Sequence, residues 1–479
     1  MVLNPEHIIY LNLFIILTLG WRVISRRSPV TETLYWLAII VLIPIFGGIL
    51  FIIINERPLG RKRLRRSKQL VPILKSMQSK LNKVSLGDLE KISENARFNA
   101  KLSSFEDHFP VYPCPNIKLF SDEAETLNSI ITEINSAKYS VNLCSYIWSS
   151  GTLIFKLEEA LIKARSRGVI CRVLLDDLGS SSFLDSGKLE FLEGHGIVLI
   201  SALKAGIFRG LFRRVDIRNH RKIYTIDHEI AYTGSMNLVD SSCFKPWHDI
   251  GGWIDTTIRV EGDAARELDL VFYGDWYLET GKIIKPPKAV SNAKSTLADN
   301  FIQIVPTGRN VPKHHIQEIF LNIIYSAKRR VTLTSPYLIP SESLINALCT
   351  AARRGVEVNL ITTEKSDAKI VQLASEYNYS TLFNSGVNIY LYKNGLLHSK
   401  TLTCDDDISM VGSLNLDMRS FFINFEICNF VYGKSFLTSL KDLQYSYIRR
   451  SQKIDKNWLS QSKSRKSSQL ITRLISPIL

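Results

Sequence analysis

Two stretches of the chain carry the same residue types at the same spacing. His220 and Lys222 are followed, after four residues, by Asp227 and, after six more, by Gly234-Ser235-x-Asn237. His398 and Lys400 are followed in the same way by Asp405 and by Gly412-Ser413-x-Asn415. A single His-x-Lys arises readily by chance; two copies matching over 18 positions do not. His and Lys two apart in an extended segment face the same way, and Ile223, Tyr224, Thr225 and Ile226 favour strand. Each copy therefore offers an imidazole and an ammonium group to one small volume, with Ser and Asn arriving after a return strand. Two copies face to face surround a tetrahedral anion with two His, two Lys, two Ser and two Asn. That set suits phosphoryl transfer, in which positioning and charge stabilisation carry most of the catalysis. Two imidazoles also allow one nucleophile and one general acid.

The doubled pattern resembles the signature of the phospholipase D superfamily. Gly234-Ser235-Met236-Asn237-Leu238-Val239-Asp240 with Trp253-Ile254-Asp255 looks like the first half of bacterial cardiolipin synthases. Gly412-Ser413-Leu414-Asn415-Leu416-Asp417-Met418-Arg419-Ser420 with Asn424-Phe425-Glu426 looks like the second. The resemblance covers nearly the whole chain, apolar amino-terminal segments included. It implies a catalytic set of His220, Lys222, Asp227, His398, Lys400 and Asp405. It implies substrate contacts from Ser235, Asn237, Ser413 and Asn415, and support of the imidazoles by Asp255 and Glu426. Within that set Asp227 and Asp405 are expected as supports, because five residues from Lys is an odd separation that turns the carboxylate to the other strand face. The implied reaction takes two phosphatidylglycerol molecules to cardiolipin and glycerol through a phosphohistidine, with His220 preferred as nucleophile. The lysines supply the charge, so neither metal nor other cofactor is expected. The alternatives are a phospholipase D or transphosphatidylase using water or another alcohol, and a membrane-tethered nuclease or nucleic-acid binder. Where the family has Gly after each motif Asp, this chain has His228 and Asp406.

The elements that position these residues also repeat. Ser136-Ala137-Lys138 echoes Ser326-Ala327-Lys328, Arg167-Gly168-Val169 echoes Arg354-Gly355-Val356, and Gly196-Ile197-Val198-Leu199 echoes Gly386-Val387-Asn388-Ile389. Helical periodicity precedes both Arg-Gly-Val runs and short β-branched runs follow, so helix and strand alternate. The expectation is an α/β fold of two homologous phospholipase D-like halves, 111–290 and 291–440, related by a pseudo-two-fold axis with their sheets meeting at the centre. The first half has about a dozen extra residues before its motif, near Lys204–Arg214. Their apolar Ile207, Phe208, Leu211 and Phe212 among basic neighbours suggest a short helix dipping into a lipid leaflet.

At 479 residues, the chain has room for these halves and a membrane anchor. Residues 8–21 are apolar but short, whereas 34–54 form a charge-free stretch of about one bilayer thickness. Arg57, Arg61, Lys62, Arg63, Arg65, Arg66 and Lys68 follow it, against Arg22, Arg26 and Arg27 between the segments. Counting positive charge predicts that 1–56 is a two-span hairpin, with the basic linker and helices of 57–110 and the catalytic halves in the cytoplasm; the resemblance implies that the membrane is a bacterial inner membrane. The net charge of +15 sits at the ends, +7 in 1–68 and +7 in the basic tail 441–479, leaving about +1 between. That distribution fits phosphatidylglycerol and other anionic lipids better than nucleic acid. Seven scattered cysteines, an odd number with no C-x-x-C pair, argue against a disulfide framework or a zinc site.

Overall fold

The computed structural model describes residues 5–26, 30–55, 61–84, 89, 92–104, 109–204, 216–241, 251–287, 299–308, 311–312, 314–460, 468–470 and 472. The extra segment before the first motif, Cys243, His248 and most of the apolar carboxy terminus lie outside the described residues. Two compact units form, one on the residues up to Arg65 and the other on Arg66–Lys204 with Ile217 onward.

The helices of the amino-terminal unit do not follow the expected segments 8–21 and 34–54. The shorter apolar run becomes the long helix, Pro5–Ile24, of which Glu6–Ile24 is long and apolar enough to cross a membrane. The stretch 34–54 is not one helix. It breaks at Ile43 into Val30–Leu42 and Pro44–Asn55, because Pro44 has no amide hydrogen to donate and its ring crowds the preceding turn. The two pieces fold back on each other. The rings of Trp36 and Phe51 lie 5.3 Å apart, whereas a straight helix would separate them by about 22 Å. The Arg26 guanidinium sits 5.4 Å from the Phe51 ring, so the last helix returns to the end where the first one finishes. Each short helix is only about 20 Å long, less than the bilayer core.

The second unit holds two sheets. The first runs Ile117–Phe120, Thr257–Glu261, Ile230–Gly234, Ile223–Ile226, Ser140–Ser145, Ile170–Asp176, Val198–Ala202. The second runs Val111–Pro113, Phe301–Pro306, Ile427–Tyr432, Ile408–Gly412, Thr401–Cys404, Arg330–Thr334, Glu357–Thr363, Asn388–Tyr392, Ser451–Lys453. Apart from its two edge strands, the second sheet has the order of the first, with the strand after each His-x-Lys in the middle. In each sheet three strands are parallel and linked by helices, and the motif hairpin adds antiparallel to the first of them. Side chains alternate accordingly. Val141 and Leu143 face the outer helices of their sheet, while Ile223, Val260 and Phe272 share a central core with Ile304, Val411 and Val431.

The edges move two expected boundaries. Val111–Pro113 pairs with Phe301–Pro306, and Ser451–Lys453 pairs with Asn388–Tyr392, so both flanks complete the second sheet. Residues 57–110 are more than a linker. The helix Arg61–Gln78 sends Arg66 to the carbonyls of Leu278, Glu279 and Thr280, satisfying the open end of the helix Asp263–Thr280.

Candidate active site

Each motif histidine stands just ahead of its strand, not within it, in extended chain that pairs with the segment just ahead of the strand following the opposite copy's carboxylate. The His220 amide donates to the Phe425 carbonyl at 2.9 Å, and the Phe425 amide donates to the Arg218 carbonyl at 2.9 Å. The His398 amide donates to the Ile254 carbonyl at 2.9 Å, continuing a two-residue parallel pairing of Leu396–Leu397 with Trp253–Ile254. These ladders bring each imidazole to the carboxylate that follows the opposite copy of Gly-Ser-x-Asn. His220 Nδ1 is 2.9 Å from Glu426 Oε2, and His398 Nδ1 is 2.7 Å from Asp255 Oδ1. The other ring nitrogen, Nε2, is left for chemistry. Tyr146 meets the His220 ring edge-on at 4.9 Å, and Trp253 lies 4.6 Å from the His398 ring.

The serines bond to the carboxylates. Ser235 Oγ donates to Asp255 Oδ1 at 2.6 Å, and Ser413 Oγ donates to Glu426 Oε2 at 2.5 Å. Both hydroxyls also accept a backbone amide, from Thr256 and Ile427. Both are fully buried, and each braces its carboxylate. The glycines before them explain the spacing. A Cβ on Gly234 would stand 2.2 Å from the Thr256 carbonyl oxygen, and one on Gly412 would stand 2.4 Å from that of Ile427. Only glycine lets the return strand approach closely enough to deliver the serine.

Asp227 and Asp405 are not brought to the imidazoles. Each sits past its strand in a left-handed turn, with φ of 53° and 48°. Asp227 accepts the amides of Lys138, Tyr139 and Ser140, and Asp405 those of Lys328, Arg329 and Arg330. Both fix the start of the neighbouring parallel strand. His228, in place of the family glycine, also has positive φ, at 61°, and is held by Asp269 at 2.7 Å.

Burial shapes the charge states. Lys222 and Lys400 are buried, and each ammonium donates to the carbonyl of its motif histidine. Burial lowers Lys222 to about 8 and Lys400 well below the ordinary lysine value, against the pull of Glu426 and Asp255. Burial also lowers His220 to about 4 and, together with Lys400, depresses His398. Burial alone would raise the carboxylates, but histidine, lysine and serine partners outweigh it: Asp255 falls to about 2 and Glu426 falls too. Each carboxylate accepts from Nδ1 of its imidazole.

His220, His398, Asn237 and Asn415 open onto one cavity of about 700 Å³, within the size range of small-molecule sites. Asn237 Oδ1 accepts the Ile147 amide, and its Nδ2 is buried without a partner among the described residues, available to a phosphoryl oxygen. Sequence reasoning missed Arg221, the middle residue of the first motif. It bonds Asp275 at 2.6 Å and the carbonyls of Glu426 and Thr307, tying motif, carboxylate strand and central helix together. It also missed buried Arg218, which lines the cavity wall and pairs with Asp176 at 3.1 Å. Neither has a spacing signal in the sequence. Among the described residues no three His, Cys, Asp or Glu side chains group as a metal site.

Known proteins agree with this architecture. A family model described as the cardiolipin synthase, phospholipase D-like domain matches residues 130–276 and 320–444. The chain is 36% identical to cardiolipin synthase A of Proteus mirabilis (strain HI4320) over 90% of this chain and 89% of that protein. It is 35% identical to cardiolipin synthase A of Yersinia pseudotuberculosis serotype O:1b (strain IP 31758) over 96% and 95%. Among solved structures, phosphatidylserine synthase of Haemophilus influenzae Rd KW20 superposes with a TM-score of 0.60 at 12% identity, covering 80% of this chain and all of that one. That likeness speaks to the fold, whereas the sequence relatives, matched over nearly their full length, place the chain in the phospholipase D-like cardiolipin synthase family.

Proposed function

We propose that this protein joins two phosphatidylglycerol molecules into cardiolipin and releases glycerol. The reading is carried by the crossed pairs His220–Glu426 and His398–Asp255, which set two imidazoles with free Nε2 atoms on one cavity beside two buried lysines. The sequence relatives carry the same activity in their names. In this reading His220 Nε2 attacks phosphorus and the bond to the glycerol oxygen breaks. His398, charged once the phosphodiester anion enters, gives its Nε2 proton to that oxygen. Now neutral, His398 takes the proton of a glycerol hydroxyl on the second lipid, whose oxygen attacks phosphorus and frees His220. Lys222, Lys400, Asn237 and Asn415 stabilise the non-bridging oxygens, and the carboxylates hold each imidazole in its tautomer. The unit is built as two homologous halves about a pseudo-two-fold axis, so both faces of the phosphoryl group meet the same constellation.

The protein sits at a membrane, and we place its catalytic unit on the cytoplasmic face. Pro5–Ile24 crosses the bilayer, and the bent pair Val30–Leu42 and Pro44–Asn55 re-enters from the cytoplasm and returns to it. This one-span arrangement puts Arg22, Arg26 and Arg27 on the same side as the basic run Arg57–Lys68, which satisfies the positive-inside rule better than two spans. Incubating the purified protein with phosphatidylglycerol alone tests the reaction. Cardiolipin and glycerol in equal amounts are expected; phosphatidate as the sole product would make the protein a hydrolase.

A further inference from the structure

The catalytic residues come in matched pairs, but the wall of the cavity does not. Ser145 Oγ donates to the Ile147 carbonyl and accepts the Leu238 amide; Ser335 Oγ donates to the Tyr337 carbonyl and accepts the Leu416 amide. Ile147 and Tyr337 therefore occupy equivalent places, as do Val239 and Asp417, each one residue beyond the amide that Ser145 or Ser335 accepts. On the first-motif side, this part of the wall is Tyr146 and Ile147 with Leu178, Gly179, Ser181 and Ser182, none of them a carboxylate. On the other side, Tyr337 donates its phenol to Asp367 Oδ1 at 2.8 Å, and both line the cavity.

Arg218 and Arg419 line the same cavity and supply positive charge for a phosphodiester anion, and the reaction described above gives Asp367 no task. Hydroxyl groups are the ligands that a carboxylate–phenol pair holds well. The carboxylate accepts from them, and the phenol keeps one carboxylate oxygen in place. The chemistry also requires an unsymmetrical wall. Of the two alcohols esterified to the phosphorus of phosphatidylglycerol, one is an apolar diacylglycerol and the other a glycerol with two free hydroxyls. A symmetric site could not decide which leaves. The departing glycerol and the glycerol end of the incoming lipid are the same group, so one subsite serves both steps.

Resting on the transphosphatidylase reading, we propose that Asp367 and Tyr337 form the subsite for the free hydroxyls of the glycerol head group, selecting a polyol over water or a simple alcohol as acceptor. The pair acts on specificity and not on the bonds at phosphorus.

The test supplies the purified full-length protein with phosphatidylglycerol and an equimolar mixture of glycerol, carrying a heavy-isotope label, and 1-propanol. Labelled phosphatidylglycerol and phosphatidylpropanol are counted by mass spectrometry. Because the ratio is read within one reaction, a general loss of activity cancels. Wild type is expected to favour glycerol, and Asp367→Asn to lower that preference by about tenfold or more, the usual effect of losing a hydrogen bond to a charged group. Tyr337→Phe is expected to lower it by less, since the carboxylate remains. A wild-type ratio near one, an unchanged ratio in Asp367→Asn, or loss of both products alike in both variants would overturn the subsite. The last outcome would make the pair part of the scaffold. Failure of the wild type to transfer to any alcohol is a different result and would overturn the transphosphatidylase reading itself.

Discussion

Glu426→Gln isolates the contribution of a single buried charge. The carboxylate accepts from His220 Nδ1 at 2.9 Å and from Ser413 Oγ at 2.5 Å through the same oxygen, Oε2, while Oε1 has no partner among the described residues. Glutamine can present its amide oxygen at Oε2 and its nitrogen at Oε1, so both hydrogen bonds and the shape survive while the charge is lost. That charge matters when the imidazole becomes positive in forming its bond to phosphorus. Opposite charges about 4 Å apart at an effective dielectric of about 20 interact by about 4 kcal/mol. At about 1.4 kcal/mol per tenfold, kcat is expected to fall about 10³-fold. Asp255→Asn should behave alike through His398. Ser413→Ala leaves the charge in place and should cost only about tenfold. The assay is the initial rate of cardiolipin formation in mixed micelles, with thermal unfolding as a check that the variant is folded. A Glu426→Gln enzyme within tenfold of wild type would refute the crossed pairing as the source of imidazole activation. So would a further large loss when it is combined with His220→Ala, since members of one catalytic unit are not additive.

Lys222, lowered to about 8 by burial, loses its charge as pH rises through that value, so kcat/KM should decline above about pH 8; a profile flat to pH 10 counts against a charged Lys222 in the reaction. Gly412→Ala forces a Cβ to 2.4 Å from the Ile427 carbonyl and should abolish turnover by pushing away the strand that carries Glu426, measured together with thermal stability. Arg221→Met strands Asp275 as a buried unpaired charge and should destabilise the protein by about 3–5 kcal/mol, with Arg221→Met/Asp275→Leu recovering much of the loss in a thermal melt. A cysteine placed at Ser25, in a background without other reactive thiols, should react with an impermeant maleimide only after the membrane is opened; labelling of intact spheroplasts would restore two spans. Turnover should persist in excess chelator, and its loss with recovery on one specific metal would show that the lysines do not suffice.

The sequence by itself determined which residue types recur and at what spacing. Local rules sufficed for this, because the strand Ile223–Ile226, its turn at Asp227 and its return to Gly234 are set by neighbours in the chain. Helix–strand alternation announced the α/β class for the same reason. What the sequence did not decide was which carboxylate meets which imidazole. Glu426 and His220 are 206 residues apart, Asp255 and His398 143, and the two ladders that register them exist only once the sheets have met. Tertiary structure likewise decided that Ser235 and Ser413 brace Asp255 and Glu426, since their hydroxyls find a carboxylate brought close by glycine. Arg221 was silent in the sequence because a buried arginine is read from its partners, and those come from Asp275, Thr307 and Glu426 in separate elements. At the amino terminus, hydropathy counted residues 34–54 as a span. Pro44 and the packing of Trp36 on Phe51 folded them into a hairpin. Composition measures how apolar a stretch is, whereas its path depends on a missing amide hydrogen and on the side chains that the bend brings together.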